Sequence, residues 1–139
     1  MEVRLLSAGD LAILDQVADE VFDERVDPGL WAEFLADPRH HLAVALDGGV
    51  VVGFASAVHY VHPDKPPQLW INEVGVAPTH QRRGLARALL DALLALGRRL
   101  GCSEAWVLTD EENAAARAAY RSVGGEETTG VVMVTFPLG

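Results

Sequence analysis

The chain has 139 residues, of which 50% are hydrophobic and 22% are charged, and this composition predicts one globular domain spanning residues 1–139. The formal net charge of −9 argues against a nucleic-acid partner, because phosphate backbones require clustered Lys and Arg. No apolar run is long enough to cross a bilayer, and the start MEVRLLSAGD lacks a basic region followed by an apolar core, so we expect a cytoplasmic protein without a membrane partner.

The first half of the chain predicts a strand, two helices and a hairpin, according to the spacing of its apolar residues. These elements are a strand at Val3–Leu5, a helix from Ser7 or Asp10 to about Phe22, a short helix after Pro28, and strands at His41–Leu46 and Val50–Val61. The sequence Asp47-Gly48-Gly49 predicts the tight turn of the hairpin. Three prolines predict that residues 62–68 form a loop.

The second half of the chain alternates strands with helices. Its predicted elements are a buried strand at Leu69–Val76, a long amphipathic helix from Leu85 to Leu100, a strand at Glu104–Thr109, an alanine-rich helix at Glu112–Ser122 and a last strand at Val131–Phe136. The resulting order, β-α-α-β-β-β-α-β-α-β, predicts an α/β fold. No internal repeat, low-complexity tract or linker interrupts it.

The junction between the strand Leu69–Val76 and the long helix is basic, although the chain as a whole is acidic. A helix N-terminus presents unpaired backbone N–H groups and the positive end of the helix dipole. Gly84 and Ala86 would leave room there for the close approach of an anion. The junction therefore predicts a phosphate site, and it matches neither the mononucleotide P-loop nor the dinucleotide fingerprint. Solvated helix faces are the alternative explanation of the charges.

Two sequence patterns lie at and beyond this junction. They are Q-x-x-G-x-A at Gln81, Gly84 and Ala86, which follows the strand sequence NEVGV, and the pair of Asn113 and Tyr120 in a later helix. Together they resemble the GCN5-related N-acetyltransferase (GNAT) family, whose element order fits nearly the whole chain. The resemblance implies the GNAT fold, with a mixed, mostly antiparallel central sheet flanked by helices. It also implies direct transfer of an acetyl group from acetyl-CoA to a primary amine in a ternary complex.

The single cysteine and the isolated His-x-x-His pattern at His59 and His62 predict no metal site. The resemblance implies which residues hold acetyl-CoA. The loop after the strand would bind the pyrophosphate, and the strand backbone would pair with the pantetheine arm and polarise the thioester carbonyl through an N–H group. A helical amide would bind the peptide groups of the arm. The implied pyrophosphate-binding residues are Gln81, Arg82, Arg83, Gly84, Leu85 and Ala86. The implied strand residues are Val74, Gly75 and Val76, and the helical amide is that of Asn113.

Glu73 and Tyr120 are the candidate catalytic residues. A primary amine is mostly protonated at neutral pH, so a base is needed before it can attack a thioester, and Glu73 could serve directly or through water. Tyr120 could donate a proton to the departing thiolate. The alternatives are a salt-bridged or edge-exposed acid for Glu73, a core aromatic residue for Tyr120 and a helix cap for Asn113.

The resemblance implies that the segment from Asp19 to Asp27 lies on the family's variable acceptor side, and this part of the chain is strongly acidic. Nine acids and one base lie between Asp10 and Asp37, which favours a cationic small-molecule amine, and Asp23 and Glu24 are candidate contacts. His59 could be a base, a substrate contact or neither. The sequences FLADP and NAAARAAYRSVGGEE resemble those of aminoglycoside 3-N-acetyltransferases.

The sequence leaves the acceptor, the function and the oligomeric state with alternatives. Polyamines, other small amines and protein amines are rival acceptors, and an acyl-CoA-binding module without transferase activity is the rival function. The sequence allows a homodimer and leaves the oligomeric state open.

Overall fold

The computed structural model describes all 139 residues and contains one five-stranded sheet with the order β1-β2-β3-β4-β5. The strands are β1 (Glu2–Leu5), β2 (His40–Asp47), β3 (Val50–Tyr60), β4 (Gln68–Val76) and β5 (Ala105–Val107). The helices are α1 (Pro28–Ala36), α2 (Leu85–Arg99) and α3 (Ala114–Ser122), with 3₁₀ segments at Ala8–Asp15 and Pro78–His80. Only the β4–β5 pairing is parallel. The predicted α/β class with a mixed, mostly antiparallel sheet is confirmed.

The two faces of the sheet are covered by different elements. Helix α2 packs on one face, where a Cβ added at Gly53 would lie 3.3 Å from Cδ1 of Leu89. On the other face, the rings of Phe54 and Phe22 have centroids 4.1 Å apart, which places the segment before α1 against β3. Between these layers lies a core of 20 buried apolar residues. None of the helices combines the length and apolarity that crossing a membrane requires.

Two helices begin at side-chain caps that their sequences supply. The Asp27 carboxylate accepts hydrogen bonds from the backbone N–H groups of Gly29 and Leu30, and Pro28 occupies the first turn of α1. Asn113 caps α3 in the same way, because its Oδ1 accepts from the N–H of Ala116 at 3.0 Å. Each cap satisfies a donor that would otherwise lack a partner.

The predicted helix from Ser7 or Asp10 to Phe22 is wrong beyond its first turns. The chain forms a 3₁₀ segment at Ala8–Asp15 and then becomes extended, so that Val17 bridges to Val51. The Val51 N–H donates to the Gln16 carbonyl, and the Ala18 N–H donates to the Val51 carbonyl, both at 2.9 Å. Backbone pairing with β3 therefore replaces the helical hydrogen bonds that the apolar spacing predicts.

The predicted last strand, Val131–Phe136, does not form in this chain, and the predicted strand Glu104–Thr109 is shortened to β5. Residues 125–139 contain no helix or strand, and they are exposed. A strand exists only when its backbone pairs with a neighbour, and no strand of the chain pairs with this segment.

Candidate active site

The loop between β4 and α2 is rich in free backbone donors. None of the backbone N–H groups from Gln81 to Arg87 has a hydrogen-bond acceptor in the protein. Those at the start of α2 are free because a helix leaves its first N–H groups without a partner. They lie at the positive end of the dipole of a helix of 15 residues, which adds electrostatic attraction for an anion.

Gly84 is the N-cap of α2 and has a left-handed backbone conformation, with φ 75° and ψ 14°. A Cβ at Gly84 would meet no protein atom within 4 Å, so it would point into open space beside the free N–H groups. Arg82 also has a positive φ, of 63°, whereas Arg83 between them does not. Such alternation of backbone handedness turns successive N–H groups toward one concavity, which suits a phosphate.

The side chains of this loop divide into exposed and inward-facing groups. The Arg82 and Arg83 side chains are exposed and make no ion pair, so their charges remain available. The Leu85 side chain is buried in the core, which leaves only its backbone N–H for a ligand, and Ala86 is partly buried. The Gln81 side chain donates from Nε2 to the Val76 carbonyl at 3.3 Å, which ties the loop to the end of β4.

A second side-chain hydrogen bond connects the loop to the β2–β3 hairpin. His80 Nε2 donates to the Asp47 carboxylate at 2.7 Å, and Thr79 Oγ1 lies 2.7 Å from His80 Nδ1. The hydrogen bond from His80 is the main cause that holds the pKa of Asp47 below its ordinary value. No sequence pattern indicates this pair, because the two residues are 33 positions apart.

Strand β4 carries a bulge in the middle of the site. Ser56 pairs with Glu73 but Ala57 pairs with Ile71, so Asn72 is an extra residue in β4. The parallel pairing with β5 ends at Ile71 and Val107, and residues 72–76 have no β5 partner. The two strands therefore separate beyond the bulge and leave one edge of β4 open.

The open edge of β4 presents the backbone of Val74 and Val76. The Ala77 N–H donates to Val52 at 2.8 Å on the β3 side. Because backbone groups alternate in direction along a strand, Gly75 also faces β3, whereas Val74 and Val76 face the open edge. The Gln81 hydrogen bond to the Val76 carbonyl agrees with this direction. The open edge thus offers strand-type hydrogen bonds to an extended ligand.

Gly75 lies at a close contact between β4 and the segment before α1. A Cβ at this position would lie 2.5 Å from the Val21 carbonyl oxygen and 2.8 Å from Cε1 of Phe54. Only glycine permits this contact, which brings the acidic segment that follows Val21 against β4.

Glu73 lies on the face of β4 that carries Gly75, since these two residues pair with Ser56 and Phe54 in turn. Its side chain is exposed and makes no hydrogen bond or ion pair in the structure. The structure therefore excludes a salt-bridged acid, one of the two alternatives for Glu73, and it fits the other, an edge-exposed acid. The carboxylate lies beside the bulge without a protein partner, so it is open to a bound group.

Tyr120 is partly buried in α3 and packs against the core. Its hydroxyl has no hydrogen-bond partner in the protein, and it is not among the buried polar atoms without a partner, so solvent or a ligand can reach it. Burial raises the pKa of Tyr120 above its ordinary value, so the phenol stays protonated throughout the neutral range. It is available as a donor.

Asn113 is a helix cap, as the alternative interpretation expected. The cap uses Oδ1 alone, so the two Nδ2 hydrogens are free to donate to a ligand beside α3. A capping role and a ligand contact are thus compatible at this residue.

A cavity of about 900 Å³ lies between the 3₁₀ segment and α1, on the face of the sheet that carries Glu73. Asp23 and Glu24 line it, although Glu73 does not. The remaining charged lining residues are Asp15, Asp19, Glu20 and Arg25. Five carboxylates against one guanidinium make the cavity attractive to a cation.

His59 pairs with His41 on the neighbouring strand, with 2.7 Å between Nδ1 of His59 and Nε2 of His41. Burial, together with the nearby His59, lowers the pKa of His41 to about 4. One ring therefore donates to the other near neutral pH, and this pairing occupies one nitrogen of His59. The structure contains no group of three or more His, Cys, Asp or Glu residues that could hold a metal ion.

The fold and the site together define an α/β protein in which a loop with free backbone N–H groups joins a bulged strand to a helix. A family model described as the acetyltransferase (GNAT) family matches residues 11–124. The chain therefore belongs to the GNAT family, as its sequence motifs indicated.

Two curated relatives are named for different acceptors. N-alpha-acetyltransferase RimI of Mycobacterium tuberculosis is 38% identical over 104 residues, which cover 75% of this chain and 63% of the relative. Aminoglycoside N(6')-acetyltransferase type 1 of Salmonella typhimurium is 34% identical over 98 residues, covering 66% of this chain and 68% of the relative. The latter name gives the 6' position, so this relative gives the predicted 3-N type no support.

Solved structures agree on the fold. An aminoglycoside acetyltransferase from an uncultured soil metagenomic sample, in complex with trehalose, has a TM-score of 0.87 at 20% identity, covering 99% of this chain and 96% of that chain. Aminoglycoside N-acetyltransferase AAC(6')-Iy in complex with CoA has a TM-score of 0.79 at 25% identity, covering 97% and 93%. The family and the named curated relatives confirm the predicted enzyme class, an acetyl-CoA-dependent N-acetyltransferase.

Proposed function

We propose that this protein transfers an acetyl group from acetyl-CoA to a primary amine of a cationic small molecule, by direct attack in a ternary complex. The observation that carries the proposal is the set of free backbone N–H groups from Gln81 to Arg87, next to the open space at Gly84. These groups suit the pyrophosphate of CoA, because N–H donors at a helix N-terminus bind phosphate oxygens. Arg82 and Arg83 add positive charge.

Acetyl-CoA supplies an acetyl group activated as a thioester. The backbone of Val74 and Val76 at the open edge of β4 would hold the pantetheine arm, and one of their N–H groups would polarise the thioester carbonyl. The free Nδ2 of Asn113 would donate to the peptide groups of the arm. In this arrangement the backbone of β4 binds acetyl-CoA, so the side chains of β4 remain available for the amine substrate.

Glu73 would take a proton from the protonated amine, directly or through water, and the neutral nitrogen would then attack the carbonyl carbon. The new C–N bond replaces the C–S bond, and sulfur leaves with the electron pair of the broken bond. Tyr120 would donate a hydrogen bond, and finally its proton, to the sulfur. The second proton of the attacking nitrogen would then restore the Tyr120 phenol, and Glu73 would release the first proton to solvent. The unpaired carboxylate of Glu73 and the unpaired hydroxyl of Tyr120 support these roles.

Tyr120→Phe is expected to lower kcat by about 10- to 100-fold, because one hydrogen bond to a charged group is worth about 1.5–3 kcal/mol. The affinity for acetyl-CoA should change little, since the variant keeps the aromatic ring in the core. In the unmodified protein, the rate should fall as the pH rises through the raised pKa of Tyr120, and this fall should be missing in the variant. Steady-state kinetics and CoA titration measure both effects. A large loss of affinity with unchanged kcat would make Tyr120 structural instead.

The acidic cavity supports a cationic acceptor. Its carboxylates lie on the Glu73 face of the sheet, and the contact between Val21 and Gly75 brings the segment that carries Asp23 and Glu24 against β4. An aminoglycoside would satisfy this charge, as would a polyamine. The relative named for N-alpha acetylation makes a protein amine the further candidate. An acyl-CoA-binding module without transferase activity is not favoured, because the relatives are named as transferases.

The double variant Asp23→Asn, Glu24→Gln is expected to raise KM for a polycationic acceptor by about three- to tenfold, because exposed ion pairs contribute up to about 1 kcal/mol each. KM for a singly charged amine should change less, and added salt should reduce the difference. The double variant Asp91→Asn, Glu104→Gln removes the same charge from exposed positions outside the cavity, and it controls for net charge. Equal effects of the two variants would show that the cavity does not bind the acceptor.

A further inference from the structure

Trp70 and Glu73 lie on the same face of β4, although residues three positions apart point to opposite faces of a regular strand. The bulge at Asn72 is the reason, since Trp70 pairs with Val58 and Glu73 pairs with Ser56. These two partners are two positions apart on β3, so Trp70 and Glu73 share a face and lie about 7 Å apart along the sheet. The bulge therefore places an indole next to the candidate base.

Trp70 is supported on one side by a hydrogen-bonded neighbour. The Trp106 ring stacks on Trp70, with centroids 5.1 Å apart and an angle of 12° between the ring planes. Trp106 Nε1 donates to the Tyr60 hydroxyl at 3.0 Å, and this hydroxyl donates to Oε1 of Gln68 at 3.0 Å. Because these hydrogen bonds fix the Trp106 ring, they also limit the orientations of the indole that stacks on it.

Much of the Trp70 side chain remains open to solvent. Trp70 is 38% exposed, whereas Leu69 and Ile71 beside it in β4 are 0% and 4% exposed. Its neighbour on the β3 side is Val58, whose side chain is too short to cover an indole. A single exposed tryptophan is ordinary, but this one is fixed in place and adjoins a carboxylate without a protein partner.

Glu73 lies between this indole and the acidic cavity. Phe54, which precedes Ser56 and Val58 on the same face of β3, contacts Phe22 of the cavity lining. An acceptor with one amine at Glu73 can therefore extend toward the cavity or toward Trp70. The face of an indole attracts an ammonium group, and tryptophan does so more strongly than tyrosine or phenylalanine.

We propose that the open side of Trp70 binds a second ammonium group of the acceptor while Glu73 takes a proton from the first. The inference rests on the proposed function and narrows it to acceptors with at least two ammonium groups, about 7 Å apart. Trp70 does not touch the reacting atoms, so it stabilises the bound acceptor and the transition state equally. It should therefore lower KM and leave kcat unchanged, as a specificity-determining residue does.

Nuclear magnetic resonance of the indole N–H groups tests the contact on the full chain with CoA present, since CoA carries no acetyl group and the amine is not consumed. The chain has three tryptophans, and the indole signal that is missing in Trp70→Phe belongs to Trp70. Cadaverine, a diamine of matching length, should shift this signal to saturation. Pentylamine has the same carbon chain and one ammonium group, and it should shift the signal much less. The proposal is overturned if cadaverine leaves the signal unmoved, or if pentylamine shifts it equally.

Substitutions measure the strength of the contact. Trp70→Leu keeps an apolar side chain but removes the aromatic face, so it should weaken cadaverine binding by about two- to fivefold. Trp70→Phe keeps a ring and should retain most of the affinity, and pentylamine should distinguish little between the variants. Unchanged cadaverine affinity in Trp70→Leu, or equal losses in both variants, would contradict the proposal.

Acetyl transfer by the same variants separates this inference from the proposed function. With cadaverine as acceptor, KM should rise in Trp70→Leu by the factor found for binding, and kcat should stay the same. If cadaverine shifts the Trp70 signal but no amine is acetylated, the proposed function is wrong and the Trp70 site is retained. If amines are acetylated and KM for cadaverine is equal in both proteins, the Trp70 site is wrong and the proposed function is retained.

Discussion

Glu73→Gln is expected to lower kcat by about 10²- to 10⁴-fold, which is the range that general base catalysis contributes. The glutamine has nearly the same size but cannot accept the proton of the amine. Acetyl-CoA affinity should be unchanged, because the arm is proposed to pair with the backbone edge of β4 rather than with this side chain. Stopped-flow thiol detection and CoA titration measure the two quantities separately.

The pH dependence of Glu73→Gln distinguishes a lost base from a damaged site. Without the base, only amine that is already neutral can react, and this fraction rises about tenfold per pH unit below an amine pKa near 10. The residual rate of the variant should therefore rise with pH. Glu104→Gln, at an exposed acid near β5, should keep the rate of the unmodified protein. A variant rate close to that of the unmodified protein at neutral pH would remove Glu73 from the mechanism.

Gly84→Asp is expected to weaken CoA binding by about 100-fold, equivalent to about 3 kcal/mol. The new carboxylate would project into the open space beside the free N–H groups and repel the pyrophosphate there. A left-handed conformation also costs a residue with a Cβ about 1–2 kcal/mol, which lowers the stability of the loop. Calorimetric titration with CoA measures the affinity, and thermal unfolding measures the stability.

Gly101→Asp is the matched control, since Gly101 follows the other end of α2, has a φ of 77° and also faces open space. It introduces the same charge and the same backbone strain at the negative end of the helix. Its stability should fall at least as far as that of Gly84→Asp, whereas its CoA affinity should be unchanged. Equal losses of affinity in both variants would mean that stability, rather than phosphate contact, explains the effect.

The parts of the site that could be predicted from sequence are those set by local chemistry. Gly84 was identifiable because a strand, a short loop and a helix follow one another directly in the chain. The structure adds the reason for glycine at this position, a left-handed backbone with φ 75°. The cap at Asn113 is equally local, since it joins residues three positions apart.

The parts that could not be predicted depend on pairing between distant segments. The bulge at Asn72 exists only relative to β3, and it decides which residues of β4 face the open edge. The hydrogen bond between His80 and Asp47 likewise joins residues that are far apart in the sequence. Apolar spacing predicted a helix to Phe22, but pairing of Val17 with Val51 ended it early. The predicted strand Val131–Phe136 also depends on a distant partner, and no strand of the chain pairs with it.

Release of free thiol from acetyl-CoA by the full chain, measured with and without a panel of amines, tests the central claim most directly. The panel contains an aminoglycoside, a polyamine and a peptide with a free N-terminus. The account predicts thiol release that depends on a cationic amine, together with a product that has gained one acetyl group by mass spectrometry. Tight CoA binding without amine-dependent thiol release for any acceptor would contradict it.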